Sequence, residues 1–249
     1  MIKLKSEKEI NEIHRSGMIL ARTLLELEKL VAEGMVLKEL DIFARNYIIK
    51  QGGKPAYLGY MDYPASLCTA VNNEVIHGIP GKRKLKEGDI IGLDLGVNLN
   101  GFFSDACITV GVGKIRESRQ QLLKITKECL YLAIEQAVPG NRISDISRAV
   151  YQHAISYGYD VVRDFCGHGV GYAPHEDPQV PNYVSHAPNP RLKPGMVIAI
   201  EPMVNEGGAA IRILDDGWTV ITADGRDSAH FEHTIAVTRE GARILTVPN

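Results

Sequence analysis

The chain has 249 residues, 45% of them hydrophobic, and its 28 basic and 30 acidic side chains give a formal net charge of −2. That length can bury a substantial core, and the even spread of charge excludes a dedicated nucleic-acid surface, a fibrous repeat and extended disorder. No stretch is long and apolar enough to span a bilayer, and Met1 to Glu9 lack the apolar core of a signal peptide. The four cysteines show no CxxC spacing, which suits reduced thiols and a cytoplasmic setting. The one basic run, Lys82-Arg83-Lys84 with Lys86, reads as a solvated loop, with docking on the ribosome or RNA as the alternative.

Ser6 and Glu9 have the spacing of a capping box. After them Ile10, Ile13, Gly17, Ala21, Leu24, Leu27 and Val31 recur at helical spacing up to Gly34, which predicts a long amphipathic helix. A second helix is expected from about Leu37 to Gln51, with Leu37, Leu40, Ala44, Ile48 and Ile49 sharing a face and Gly52-Gly53 as its stop. Strands Asp89 to Val97 and Phe102 to Gly111 flank a short turn containing Asn98, Asn100 and Gly101, a hairpin signal. The pattern then returns: Arg116 to Ala137 reads as a long helix and Pro139-Gly140 as punctuation. Ile143, Ile146, Val150, Ala154 and Ile155 form the apolar face of a shorter helix ending at Gly158.

Gly34 aligns with Gly140 and Gly52 with Gly158 at an offset of 106, and Asp94 with Glu201 at 107. The chain therefore reads as one catalytic domain, 1–249, duplicated internally over approximately 7–111 and 116–238. Two helices and β-hairpins in each half predict an α+β fold, with helix pairs packed on a central antiparallel sheet.

The chemistry concentrates in five residues, Asp94, Asp105, His168, Glu201 and Glu232. Both Asp94 and Glu201 end an apolar run that follows a Gly turn, and both Asp105 and Glu232 lead into another apolar strand. Hairpin parity places Asp94 and Asp105 on the same sheet face, opposed or one diagonal step apart. Crowded, buried carboxylates repel unless a cation joins them. Four carboxylates with one imidazole form a hard, oxygen-rich set suited to manganese, iron, cobalt or zinc, and a dinuclear arrangement suits hydrolysis. His168 stands among Gly167, Gly169 and Gly171, free to project into a site. His77-Gly78-Ile79-Pro80 and His175-Glu176-Asp177-Pro178 are matching tetrapeptides whose imidazoles can donate to a carbonyl oxygen or contact a scissile nitrogen. Cys68 reads as a pocket or core thiol rather than a nucleophile paired with His77.

The ordered set Cys68, Asn73 to Pro80, Gly92-Leu93-Asp94, Ser104-Asp105, Gly167 to Gly171, His175 to Val180, Glu201-Pro202 and Glu232-His233-Thr234 resembles the type I methionine aminopeptidases of the pita-bread fold across essentially the whole chain. The resemblance implies two divalent ions on Asp94, Asp105, His168, Glu201 and Glu232, with Asp105 and Glu232 bridging and Glu201 shuttling a proton. It implies that His77 contacts substrate near the scissile amide, that His175 stabilises the tetrahedral intermediate, and that Tyr60, Tyr63, Cys68 and Trp218 form the methionine pocket with Tyr57 and Pro174 at its edge. Tyr57 stands where a smaller residue is common, and Tyr172-Ala173-Pro174 replaces a segment that often carries an aromatic before the histidine.

The expected activity is removal of the initiator methionine from deformylated nascent chains with a small uncharged second residue. The expected partners are nascent N-termini, with transient ribosome contact and neither nucleic-acid specificity nor a membrane. A monomer is expected, of the short bacterial form, since no zinc-binding extension precedes the first half. The rivals are a proline-type aminopeptidase or dipeptidase of the same fold, which usually carries a large N-terminal domain, and a non-catalytic peptide-binding module, which typically loses ligands.

Overall fold

The computed structural model describes residues 1–186 and 188–248. Helix α1 spans Glu7–Leu30 and opens with the expected capping box: the Ser6 amide donates to Glu9 Oε2 at 2.8 Å and the Glu9 amide to Ser6 Oγ at 3.4 Å. Helices α2 (Leu37–Lys50), α3 (Glu117–Glu135) and α4 (Ile143–Ser156) follow within a residue or two of their expected limits. Ile49 and Ile155, expected on the buried faces of α2 and α4, are instead 53% and 43% exposed. Each follows a fully buried residue, Ile48 or Ala154, and successive helical residues point about 100° apart, so both cannot face the core.

The main sheet has nine strands among the described residues: β1 (Lys54–Pro55), β2 (Leu67–Val71), β3 (Ile90–Leu99), β4 (Phe102–Gly111), β5 (Gly167–Gly169), β6 (Glu176–Val180), β7 (Val197–Ile200), β8 (Glu232–Val237) and β9 (Ala242–Ile244). Its order is β1-β3-β4-β8-β7-β5-β6, with β2 also paired to β3 and β9 to β8, all antiparallel. Strands β3 and β4 turn through Asn100 and Gly101, both with positive φ, the backbone that a two-residue hairpin requires.

Alternation along the strands separates packing from chemistry. Ile91, Leu93, Leu95 and Val97 of β3 join Leu20, Leu24, Leu27, Leu40 and Ile48 of α1 and α2 in one core cluster. Ile198, Ile200, Ile235 and Val237 of β7 and β8 join Leu130, Ala133, Ile146 and Val150 of α3 and α4 in another. With a period of two, the intervening residues Asp94, Asp105 and Glu232 point away from the helices. The register sets Cys68 opposite Asp94, Asp94 opposite Cys107 and Cys107 opposite Glu232, one row across β2, β3, β4 and β8. Asp105 lies opposite Gly96, one diagonal step from Asp94, so the acids share a face without being directly opposed. Two three-stranded sheets border this face, one from residues 160–161, 203–205 and 228–230, the other from 74–76, 211–213 and 220–222.

Candidate metal centre

Each acid is held by a rigid strand: Asp94 midway along β3, Asp105 on β4, Glu232 at the start of β8, and Glu201 one residue beyond β7. The pairing of His233 with Ile200 brings Glu201 beside Glu232. Strand β5 carries His168 inward because its flanking residues have no side chain. A Cβ at Gly167 would stand 2.4 Å from the Ala199 carbonyl oxygen, and one at Gly169 2.1 Å from that of Asp177.

The ligand atoms of Asp105, His168 and Glu232 all lie within 4.8 Å of one another. His168 Nε2 stands 3.5 Å from Glu201 Oε1 and 3.8 Å from Asp105 Oδ2, too far for hydrogen bonds. Its other nitrogen, Nδ1, donates to the Gly169 carbonyl at 2.9 Å, which fixes the tautomer and leaves a lone pair on Nε2 facing the carboxylates. Lone pairs that face one another across such gaps repel unless a cation lies between them.

Two further observations fit a cation. Glu232 Oε1 and His230 Nε2 are buried without a hydrogen-bond partner, and such orphaned atoms are costly. Burial also raises the Asp94 carboxyl to about 7 and holds Asp105, Glu201 and Glu232 well above the usual carboxylate range, the neighbouring acids adding to each of those three. Burial lowers His168 to about 3, so the ring is neutral and able to coordinate. A divalent ion reverses the penalty on the acids, and this donor set suits manganese, iron, cobalt or zinc.

A cavity of about 460 Å³ opens above the acids, and Tyr60, Tyr63, Cys68, His77, His175 and Trp218 all line it. Tyr63 anchors one wall by donating to the Gly78 carbonyl at 2.9 Å and packing edge-on against Trp218, ring centres 5.0 Å apart. His175 lies against His168, ring centres 4.2 Å apart, and its Nδ1 shares a 3.1 Å hydrogen bond with the Tyr60 hydroxyl. His77 stands edge-on to Phe165 and Trp218, and burial lowers its pKa to about 4. Burial drives the Cys68 thiol well above its ordinary value, so it is a wall and not a thiolate nucleophile.

Two placements differ from expectation. Tyr57, expected at the pocket's edge, is buried on the floor with its hydroxyl on Asp94 and Asp105, because the chain after β1 runs beside β3. Pro174 is buried but does not line the cavity. Phe165 and His230 were not anticipated. His230 Nε2 stands 3.7 Å from Glu201 Oε2, and its signal was a position two residues before Glu232. Phe165 carried no sequence signal.

The model of metallopeptidase family M24 matches residues 11–239. The chain belongs to metallopeptidase family M24. Within the family it is 50% identical over 247 residues to a methionine aminopeptidase of Clostridium perfringens, covering 99% of each chain. It is 48% identical over 246 residues to methionine aminopeptidase 1 of Bacillus subtilis, again covering 99% of each. The crystal structure of a methionine aminopeptidase from Thermotoga maritima superposes with a TM-score of 0.96 at 41% identity, over 99% of this chain and 100% of that one. Family membership and the buried cluster together make the chain a peptidase dependent on divalent metal. Among the described residues, no helix is long and apolar enough to cross a membrane.

Proposed function

We propose that this chain is a methionine aminopeptidase that removes the initiator methionine from deformylated nascent polypeptides whose second residue is small and uncharged. One observation carries the reading: a buried carboxylate–imidazole cluster floors a cavity of about 460 Å³ walled by aromatic rings and the Cys68 thiol, a lining suited to a flexible thioether side chain. The relatives at 50% and 48% identity bear the same name.

In this reading Asp94, Asp105, His168, Glu201 and Glu232 would hold two divalent ions, Asp105 and Glu232 being the residues that would be shared. Such a centre, when loaded, polarises the substrate carbonyl and lowers the pKa of water. Tyr60, Tyr63, Cys68 and Trp218 enclose the methionine side chain and so fix which bond is presented. Glu201 takes the proton of the attacking water and returns it to the leaving amine. His77, neutral above pH about 4, donates to the amide next to the scissile bond. His175 is also kept neutral by burial; with Nδ1 on Tyr60 its remaining proton sits on Nε2, a donor for the oxyanion. The two halves, approximately 7–111 and 116–238, act as one catalytic domain, working as a monomer in the cytoplasm. The exposed Lys82-Arg83-Lys84 loop supplies transient ribosome contact.

The test is release of methionine from Met-Gly and Met-Ala peptides, with manganese, cobalt or iron, against a formylated Met-Ala control. Release only from the free amine is expected. Absence of release with every metal from folded protein would leave a peptide-binding module as the better reading.

A further inference from the structure

Tyr57 hydrogen-bonds to two of the acids, and the reaction above does not use it. The amide of Ala56 donates to the Gly96 carbonyl at 2.9 Å, which lays this segment beside β3 and sets the Tyr57 ring on Gly96. A Cβ at Gly96 would stand 2.8 Å from Tyr57 Cε1 and from Ala56 Cβ, so the glycine makes room for that seat. The hydroxyl then reaches Asp94 Oδ1 at 3.0 Å and, closer still, Asp105 Oδ1. A phenol has one hydrogen to give, so the two carboxyl groups share it.

The rest of the site is differently served. The ligand atoms of Asp105, His168 and Glu232 converge, Asp94 stands outside that trio, and Glu232 Oε1 has no partner at all. One end of the cluster is thus already satisfied by a neutral donor, and the other is left bare.

We propose that the Tyr57 hydroxyl is an internal competitor for cations: it occupies the Asp94–Asp105 end of the site, and an ion entering there must first displace it, whereas the His168 end takes an ion without that step. The inference rests on the reading that the five ligands hold divalent ions. Tyr57 is on this view a positioning residue that sets how readily the second ion loads. It forms no bond to substrate.

The experiment titrates metal-free wild-type protein, Tyr57→Phe and Tyr57→Leu with Mn²⁺, reading stoichiometry and Kd by calorimetry and the bound ion by electron paramagnetic resonance. Phe keeps the ring and removes only the hydroxyl; Leu serves if the Phe variant does not fold. The expected result is that the first Kd is little changed while the second tightens by roughly ten- to a hundredfold, the worth of a hydrogen bond to a charged group. A second ion seen only in the variants gives the same support. An unchanged or weaker second Kd overturns the proposal, the weaker case marking the phenol as a ligand. Failure of wild-type protein to bind any Mn²⁺ overturns the metal reading itself, and that outcome is distinct because no first Kd is then measured.

Discussion

The Asp94–Asp105 pair and the Glu201–Glu232 pair project from one face of one sheet, yet their surroundings differ. The first pair shares the Tyr57 hydroxyl and meets one imidazole, His168 at 3.8 Å from Asp105, whereas the second has His168 at 3.5 Å on one side of Glu201 and His230 at 3.7 Å on the other, and leaves Glu232 Oε1 partnerless. Alike in charge, the two pairs are set apart by what burial has placed beside them. The groups able to pass a proton gather at the Glu201 end, and the Asp94 end is left to hold charge in place.

The comparison can be broken most sharply at its shared residues. Asp105→Ala combined with Glu232→Ala is expected to abolish metal retention, measured by elemental analysis, and to lower turnover by on the order of 10³-fold or more; full metal content in that variant would contradict the bridging roles. Glu201→Ala and His168→Ala should abolish turnover as well. Next come the cavity imidazoles. His77→Ala and His175→Ala are expected to keep their metal and lose about 10²-fold in kcat, as donors to the transition state do. Loss of metal from either would move that histidine into the ligand set.

Acidity tests both ends together. The folded acids have raised pKa values, Asp94 reaching about 7 from an unfolded value of 3.8. The metal-free fold therefore binds more protons than the unfolded chain, and Asp94 contributes stability at low pH that is lost as pH rises through about 7. A cation competes with those protons, so the gain in Tm on adding Mn²⁺ should be large at pH 8 and shrink as pH falls below about 7. A gain that is flat from pH 8 to 5.5 would remove the raised acids from the metal site. The smallest effect is expected at His230: His230→Ala should cost about tenfold in kcat with metal retained, because it acts through Glu201 rather than on substrate. A KM change alone would reassign it to the pocket.

What could be read from the sequence was what local physics decides. The capping box of Ser6 and Glu9 and the Asn100-Gly101 turn of the β3–β4 hairpin each act within a few residues, and the structure places them as expected. The face of Asp94 and Asp105 followed from parity alone, but the choice of a diagonal over a direct opposition needed the actual register. Tyr57 shows the limit. Its place on the floor depends on Ala56 pairing with Gly96, a contact between segments some 40 residues apart that no periodicity records. Phe165, edge-on to His77, is likewise a product of packing between distant segments.

The join between β4 and β8 is short: Glu232 pairs with Cys107 and His233 with Ala106, and Thr234 Oγ1 accepts from the Asp105 amide at 2.9 Å while donating to its carbonyl at 2.7 Å. This seam is where the sheet of the first helix pair meets that of the second, and Asp105 and Glu232 stand on its two lips. A cation that drew those two carboxylates together would also rivet the lips, adding RT ln(1 + [L]/Kd) to the stability of the whole molecule. Amide exchange along the seam should then slow as the ion is added.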